Sequence, residues 1–306
     1  MDRKKFLQLL VVAAAGTSLP ISELAISFPK NELITKAIPS TGKRVPVIGM
    51  GTWQTFDVGY NSGLMDARTE VLSEFFKRGG GVIDSSPMYG SSEKVLGYGL
   101  QKLDYPEALF SATKVWTRSA GEGKRQIKQS KKLWGLDTLD LQQVHNMVNW
   151  RAHLDTLFER KVRGEIKHVG VTTYGGFNHG QLERIMNNEP LDFIQVTYNA
   201  RNRKAENRIL PLAKEKGIAV IANRPYGGGP LIDRLQRHPV PDFADELDCK
   251  NWPELLLKFI VSHPVLTCAI PATTQVIHMK ENMGACHGRL LKESERRLIA
   301  DYVSQL

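Results

Sequence analysis

Val82-Ile83-Asp84, Phe110-Ser111-Ala112-Thr113-Lys114 and Leu139-Asp140-Leu141-Gln142-Gln143-Val144-His145 are short, strand-like runs, and each ends on an ionisable residue. Outward from them the chain keeps one rhythm. Short apolar strands begin at Val47, Val82, Phe110, Leu139, Lys167, Phe193, Ile218 and Leu266. Helix-length amphipathic segments follow most of them. Asp66 to Lys77 is one, with Val71, Leu72, Phe75 and Phe76 on a helical period. Others run over 93–101, 125–134, 152–161, 181–186, 206–216, 254–261 and 276–283. Strands alternating with helices predict a parallel sheet of the α/β class, and eight is the number that closes a (β/α)8 TIM barrel. Ile34 to Ile48 reads as a preceding hairpin that turns near Ser40-Thr41-Gly42, and 294–303 as a terminal helix on the barrel exterior. Residues 30–306 are therefore expected to form one barrel, with 1–29 a candidate export signal or flexible tail.

A barrel of this kind assembles its active site at the C-terminal ends of several strands. The strand ends here offer an acid (Asp84), an amine (Lys114) and an imidazole (His145), with the phenol of Tyr89 just beyond the first of them. A phenol titrates near ~10 when unperturbed. The ammonium of Lys114 is expected to lower that value, and Asp84 to hold Lys114 charged and in place. His145 can hydrogen-bond the oxygen of a bound carbonyl. Such a set suits protonation of an oxygen while hydride arrives at its carbon.

Composition narrows the function classes. Of 306 residues, 41 are Lys or Arg and 32 Asp or Glu, a net charge of +9. The basic residues are scattered and no nucleic-acid motif accompanies them, so no nucleic-acid partner is expected. Part of the excess suits an anionic cofactor. Cys249, Cys268 and Cys286 lack CxxC spacing, and the histidines show no ligand pairing, so neither a disulfide framework nor a metal site is expected. No GxGxxG fingerprint occurs, which argues against a Rossmann domain.

The N-terminus reads as an address. Arg3-Lys4-Lys5 precedes Phe6-Leu7 and an apolar stretch from Leu9 to Ala15, then small residues and Pro20. This is the order of a secretory signal. It resembles a twin-arginine export signal with Lys4 in place of the second arginine, and implies a periplasmic protein handled by the twin-arginine machinery. A cytoplasmic protein with an unused tail is the alternative. The stretch is well short of the ~20 residues that span a bilayer, so no integral membrane span is expected.

Gly49-Met50-Gly51-Thr52-Trp53 and Val82-Ile83-Asp84-Ser85-Ser86-Pro87-Met88-Tyr89-Gly90 resemble the opening motifs of the aldo-keto reductases. Ala112-Thr113-Lys114-Val115, 139–145, Lys167-His168-Val169-Gly170-Val171-Thr172 and Ile194-Gln195-Val196-Thr197-Tyr198-Asn199 are similar to later ones, in family order from about Ile48 to Ala285. The resemblance implies NADP(H)-dependent carbonyl reduction by a tetrad of Asp84, Tyr89, Lys114 and His145, with Tyr89 as the acid. It also implies a cofactor groove from Thr52 through Thr172, Thr173, Gln195, Asn223, Arg224, Tyr226 and Gly227 to Thr273, His278, Glu281 and Asn282.

The sequence departs from the family at several of these positions. Thr172-Thr173 stand where relatives carry Ser-Asn. Asn223 or Arg224 replaces an aromatic residue that stacks on nicotinamide, and Tyr226 is placed to compensate. Ala272 and His278 replace a Lys and an Arg that grip the 2′-phosphate, so NAD(H) remains an alternative cofactor. A nucleotide-binding barrel acting as a redox sensor or regulatory subunit, like the potassium-channel β-subunits that resemble this family, is the alternative function. Substrate specificity is expected in loops 54–65, 116–124 and 227–252, with Trp53, Trp116 and Trp150 as a candidate apolar pocket wall.

Overall fold

The central strands of this molecule are buried on both faces, one side chain turned into the barrel and the next toward the covering helices, because successive side chains of a strand point to opposite faces. A computed structural model describes residues 32–305. The hairpin comes first, with β1 (Thr35–Ala37) antiparallel to β2 (Arg44–Pro46). Eight parallel strands follow: β3 (Met50–Gly51), β4 (Val82–Asp84), β5 (Phe110–Val115), β6 (Leu139–Val144), β7 (Ile166–Thr172), β8 (Phe193–Thr197), β9 (Ala219–Asn223) and β10 (Leu266–Ala269). They neighbour one another in sequence order, and bridges from Ile48 to Ala269 and from Gly51 to Ala272 close the ring.

Helices cover the outside. They are α1 (Ser62–Lys77), α2 (Ser92–Lys102), α3 (Ala120–Trp134), α4 (Trp150–Val162), α5 (His179–Asn188), α6 (Ile209–Lys216), α7 (Pro230–Leu235), α8 (Trp252–Val261), α9 (Val276–Gly284) and α10 (Glu293–Ser304). The outward faces of the strands pack on them through residues such as Ile83, Val115, Val144, Val171 and Ile194.

The inward faces form a separate core. Phe110, His168 and Phe193 stack their rings near the N-terminal end, with centroids 5.5–5.9 Å apart. Ile38 and Val45 of the hairpin join the same cluster, so the hairpin plugs the barrel bottom. Ala112, Leu141, Ile221 and Cys268 lie in that cluster too. Two residues beyond Ala112, Leu141 and Phe193, the same face carries Lys114, Gln143 and Gln195, all buried. The apolar core thus ends in a polar layer directly beneath the C-terminal rim.

Where the sequence suggested one helix over 206–216, the chain makes a short 3-10 turn (Lys204–Asn207) and starts α6 only at Ile209. Pro211 explains the break. It lacks an N–H and is tolerated only in a first helical turn. The long interval after β9, read as a loop, contains α7 and another 3-10 turn (Asp242–Leu247). Among the described residues no helix is long and apolar enough to cross a membrane, and no cluster of metal-ligating side chains occurs. The proposed export segment lies outside the described residues.

Close helix packing makes a test. A Cβ built on Gly97 of α2 lands on the Leu133 carbonyl of α3. Gly97→Ala is expected to force these helices apart and to lower stability by about 1–3 kcal/mol, read as a lower denaturant midpoint with the barrel's circular dichroism retained.

Candidate active site

The polar layer is organised around one carboxylate. Asp84, the last residue of β4, is 2 % exposed, and Lys114 of β5 is fully buried. Lys114 Nζ donates to Asp84 Oδ2 at 2.6 Å and to the Ser85 carbonyl at 2.7 Å. The other carboxylate oxygen, Oδ1, accepts from Gln195 Nε2 at 2.9 Å and more weakly from Gln143 Nε2 at 3.4 Å. A buried charge pair is stable only when its remaining hydrogen-bonding capacity is met, and the two glutamines and the Ser85 carbonyl meet it.

Above this pair lies Tyr89, half-buried in the loop between β4 and α2. The Lys114 ammonium stands 5.1 Å from its ring centroid. Burial pulls the Lys114 ammonium down, but Asp84 and the Tyr89 oxygen outweigh it and the net shift is upward. Lys114 is therefore charged. Tyr89 departs from expectation. Burial, joined by the Asp84 charge, raises the phenol's pKa more than the ammonium lowers it, so the net shift is also upward. The phenol is held as the neutral acid, and the ammonium serves to stabilise phenolate once the proton has gone.

His145 directly follows β6 and packs edge-on against Tyr89 with ring centroids 5.7 Å apart. Burial, helped by the Lys114 charge, depresses its pKa to about 2, so the imidazole is neutral in working conditions. Its Nδ1 lies 2.9 Å from Ser86 Oγ, which already accepts from the Met88 N–H. In the tautomer in which Ser86 donates to Nδ1, Nε2 carries the proton and is the N–H donor toward the groove. Ser86 was not singled out by the sequence reading, although it lies inside the quoted 82–90 motif.

A groove of about 1060 Å³ opens above these side chains and runs along the C-terminal rim. Asp84, Tyr89 and His145 line it, as do Thr52, Thr172, Gln195, Asn223, Arg224, Tyr226, Thr273, His278, Glu281 and Asn282. Two expected members stand apart. Thr173 turns its hydroxyl to the Phe177 carbonyl, 2.9 Å away, and Gly227 is exposed beside the groove and does not line it.

Several lining groups are already engaged. Asn223 donates to the Thr173 carbonyl and accepts from Thr197 Oγ1, whereas the Tyr226 hydroxyl donates to Asn282 Oδ1 at 2.6 Å. Tyr226 is thus tied to α9 rather than to the Tyr89 end. Arg224 sets its guanidinium 5.9 Å from the Trp53 ring centroid, in a backbone conformation with φ of 50°. Of the tryptophans expected in the wall, Trp53 lines the groove and Trp116 and Trp150 do not. Trp252, at the start of α8, does. Loop 116–124 contributes no lining residue, while Tyr174 of the loop after β7 contributes one that the sequence reading did not foresee.

The chain is similar to several known proteins. A family model described as the aldo/keto reductase family matches residues 47–301. Methylglyoxal reductase YeaE of Escherichia coli is 25% identical over 246 residues, covering 78% of this chain and 84% of that protein. L-galactose dehydrogenase of Arabidopsis thaliana is 24% identical over 281 residues, covering 82% and 87%. Among solved structures, an aldo-keto reductase of Klebsiella pneumoniae in complex with NADPH superposes with a TM-score of 0.75 at 22% identity, over 89% of this chain and 96% of that one.

The charge pair gives the next test. Lys114→Met leaves Asp84 as a buried carboxylate without its cation, which is expected to cost about 3–5 kcal/mol of stability. Chemical denaturation checks it. A variant as stable as the wild type would mean that the pair does not support the barrel.

Proposed function

We propose that this chain, which belongs to the aldo/keto reductase family, reduces an aldehyde or ketone to an alcohol with Tyr89 as general acid and NADP(H) as cofactor. The observation that carries this reading is the Tyr89 phenol and the His145 imidazole packed edge-on at one end of a long groove, above a buried Lys114–Asp84 pair.

A dinucleotide fits that groove. It extends from Tyr89 and His145 to Thr273 and to His278, Glu281 and Asn282 of α9. Helix α9 begins there without a side-chain cap, so its first N–H groups are available to an anion. Thr172 and Gln195 line the groove near the reacting end, and Asn282 at the other. These are the residues that would hold the cofactor, whose reduced nicotinamide supplies hydride to the carbonyl carbon.

The chain supplies the rest. The His145 Nε2–H and the Tyr89 hydroxyl converge on the carbonyl oxygen and orient it. As negative charge develops on that oxygen, Tyr89 transfers its proton to it. Lys114 stabilises the phenolate left behind, and Asp84, held by Gln195 and Gln143, keeps Lys114 in place. His145 stays neutral throughout and acts as a hydrogen-bond donor.

Export through the twin-arginine machinery to the periplasm is a separate proposal that rests on Arg3-Lys4-Lys5-Phe6-Leu7 and the apolar stretch behind it. Cell fractionation of the full chain tests it, with recovery only in the cytosol as the contrary result.

Three outcomes follow from the chemistry. Tyr89→Phe is expected to bind cofactor normally and to lose turnover by ~10²-fold or more; turnover within a few-fold of wild type would place the acid elsewhere, and a wild type that binds NADPH without turning over any carbonyl would favour the sensor reading. Because the phenol is shifted upward and the imidazole far downward, reduction by wild type is expected to show no ionisation between about pH 6 and 9; an inflection near neutrality in the pH–rate profile would contradict the assignment. Ala272→Lys, beside the α9 N-terminus, is expected to tighten NADPH by roughly 10-fold with little change for NADH, measured by fluorescence titration; equal tightening of both would show that the 2′-phosphate is not held there.

A further inference from the structure

The loop after β7 carries two aromatic rings into solvent. Tyr174 is 48% exposed and Phe177 64%. Their ring centroids lie 6.1 Å apart with planes at 70°. Exposed rings cost hydrophobic free energy unless something covers them, and contiguous ones mark binding surfaces. The loop that presents them is built, not loose. Thr173 Oγ1 donates to the Phe177 carbonyl and the Gly175 N–H donates to Thr197 Oγ1. Gly175 has φ of 67°, and a Cβ there would lie 2.6 Å from the Phe177 ring. Only glycine lets the ring fold back over this turn.

Beneath the rings is a second hollow of about 380 Å³, lined by Asn146, Thr173, Tyr174, Phe177 and Asn178. Two of these residues, Asn146 and Tyr174, also line the main groove, so the two spaces adjoin. Asn146 directly follows His145, and its N–H is pinned by Thr172 Oγ1 at 2.9 Å. The hollow therefore begins one residue from the imidazole that faces the carbonyl.

We infer that this hollow is a substrate subsite, and that the preferred substrates carry a flat aromatic group attached to the reacting carbonyl. This rests on the carbonyl-reductase reading of the same groove. The occupant is fixed by continuity. A group bonded to a carbon held at Tyr89 and His145 has the Asn146 side as one exit, and the walls there are aromatic faces that take planar apolar groups by offset or edge-on stacking. No charged side chain lines the hollow, so a substrate carrying an anion gains nothing from it. Small aldehydes would leave it unfilled.

The test compares 2-naphthaldehyde, methylglyoxal and an aldose in the wild type and in Phe177→Ala. Phe177 is mostly solvent-exposed, so the variant is expected to fold. The wild type is expected to favour naphthaldehyde by kcat/KM, and Phe177→Ala to lower the naphthaldehyde-to-methylglyoxal ratio about 10-fold, chiefly through KM for naphthaldehyde. An unchanged ratio, an equal loss for both, or a wild-type preference for the aldose would overturn the inference. If no carbonyl is reduced at all, the parent reading fails separately. Binding of 2-naphthalenemethanol, read by tryptophan fluorescence, then decides the subsite: a roughly 10-fold weaker Kd in Phe177→Ala supports it, and an unchanged Kd overturns it.

Discussion

A single contact, Lys114 Nζ on Asp84 Oδ2 in the closed interior of a barrel, constrains everything above it. Lys114 is sealed from water and Asp84 shows only its edge to the groove, so each must be satisfied mainly by the other and by the few polar groups within reach. This sets the composition of the uppermost interior layer, where Gln143 and Gln195 replace the apolar side chains found one layer below. It also fixes the loop after β4, because Lys114 holds the Ser85 carbonyl as well as the carboxylate. Thr52 Oγ1 adds a second tether, 3.0 Å from the Asp84 carbonyl and 2.9 Å from Ser85 Oγ. Tyr89 is carried on this doubly held loop. The phenol's position is therefore a consequence of the buried pair.

The same interior decides the protonation states. Low polarity around the site penalises every charge that lacks a partner. Lys114 has Asp84 and stays charged. His145 has only a hydroxyl partner and a neighbouring cation, so it stays neutral. For Tyr89, burial and the Asp84 charge together outweigh what the ammonium gives. The ammonium alone favours the opposite shift, and the burial that reverses it cannot be read from a linear chain. The resulting site has donors ready and no free negative charge facing the carbonyl.

Much of this was legible in the residues. Alternation of strand and helix patterns specified the barrel, and the ionisable strand ends specified which rim carries the site. The hairpin was legible as a turn, but not as the plug of the barrel bottom, since Ile38 and Val45 meet Phe110 only after ring closure. The first barrel strand was placed at Val47, whereas regular pairing begins at Met50 and closure with β10 is made by bridges. The helix expected over 206–216 begins three residues later, because Pro211 is tolerated only in a first turn and the polar Glu206-Asn207-Arg208 carry no mark of that boundary. In the groove, Tyr226 was expected near the nicotinamide end, but its bond to Asn282 spans 56 residues of sequence. Tyr174 and Phe177 carried no periodic signal at all, because a loop's function depends on where its rings are held in space.

The most direct measurement follows an isotopic label from NADPH deuterated at C4 of its dihydronicotinamide ring into the product of a single turnover with an aryl aldehyde. If this groove brings hydride and the Tyr89 proton to one carbonyl, the alcohol will carry deuterium on its carbon when the transferred face is labelled, and Tyr89→Phe will form the same labelled product far more slowly. NADPH that binds without delivering its label to any carbonyl carbon, or Tyr89→Phe that delivers it at the wild-type rate, would contradict the account.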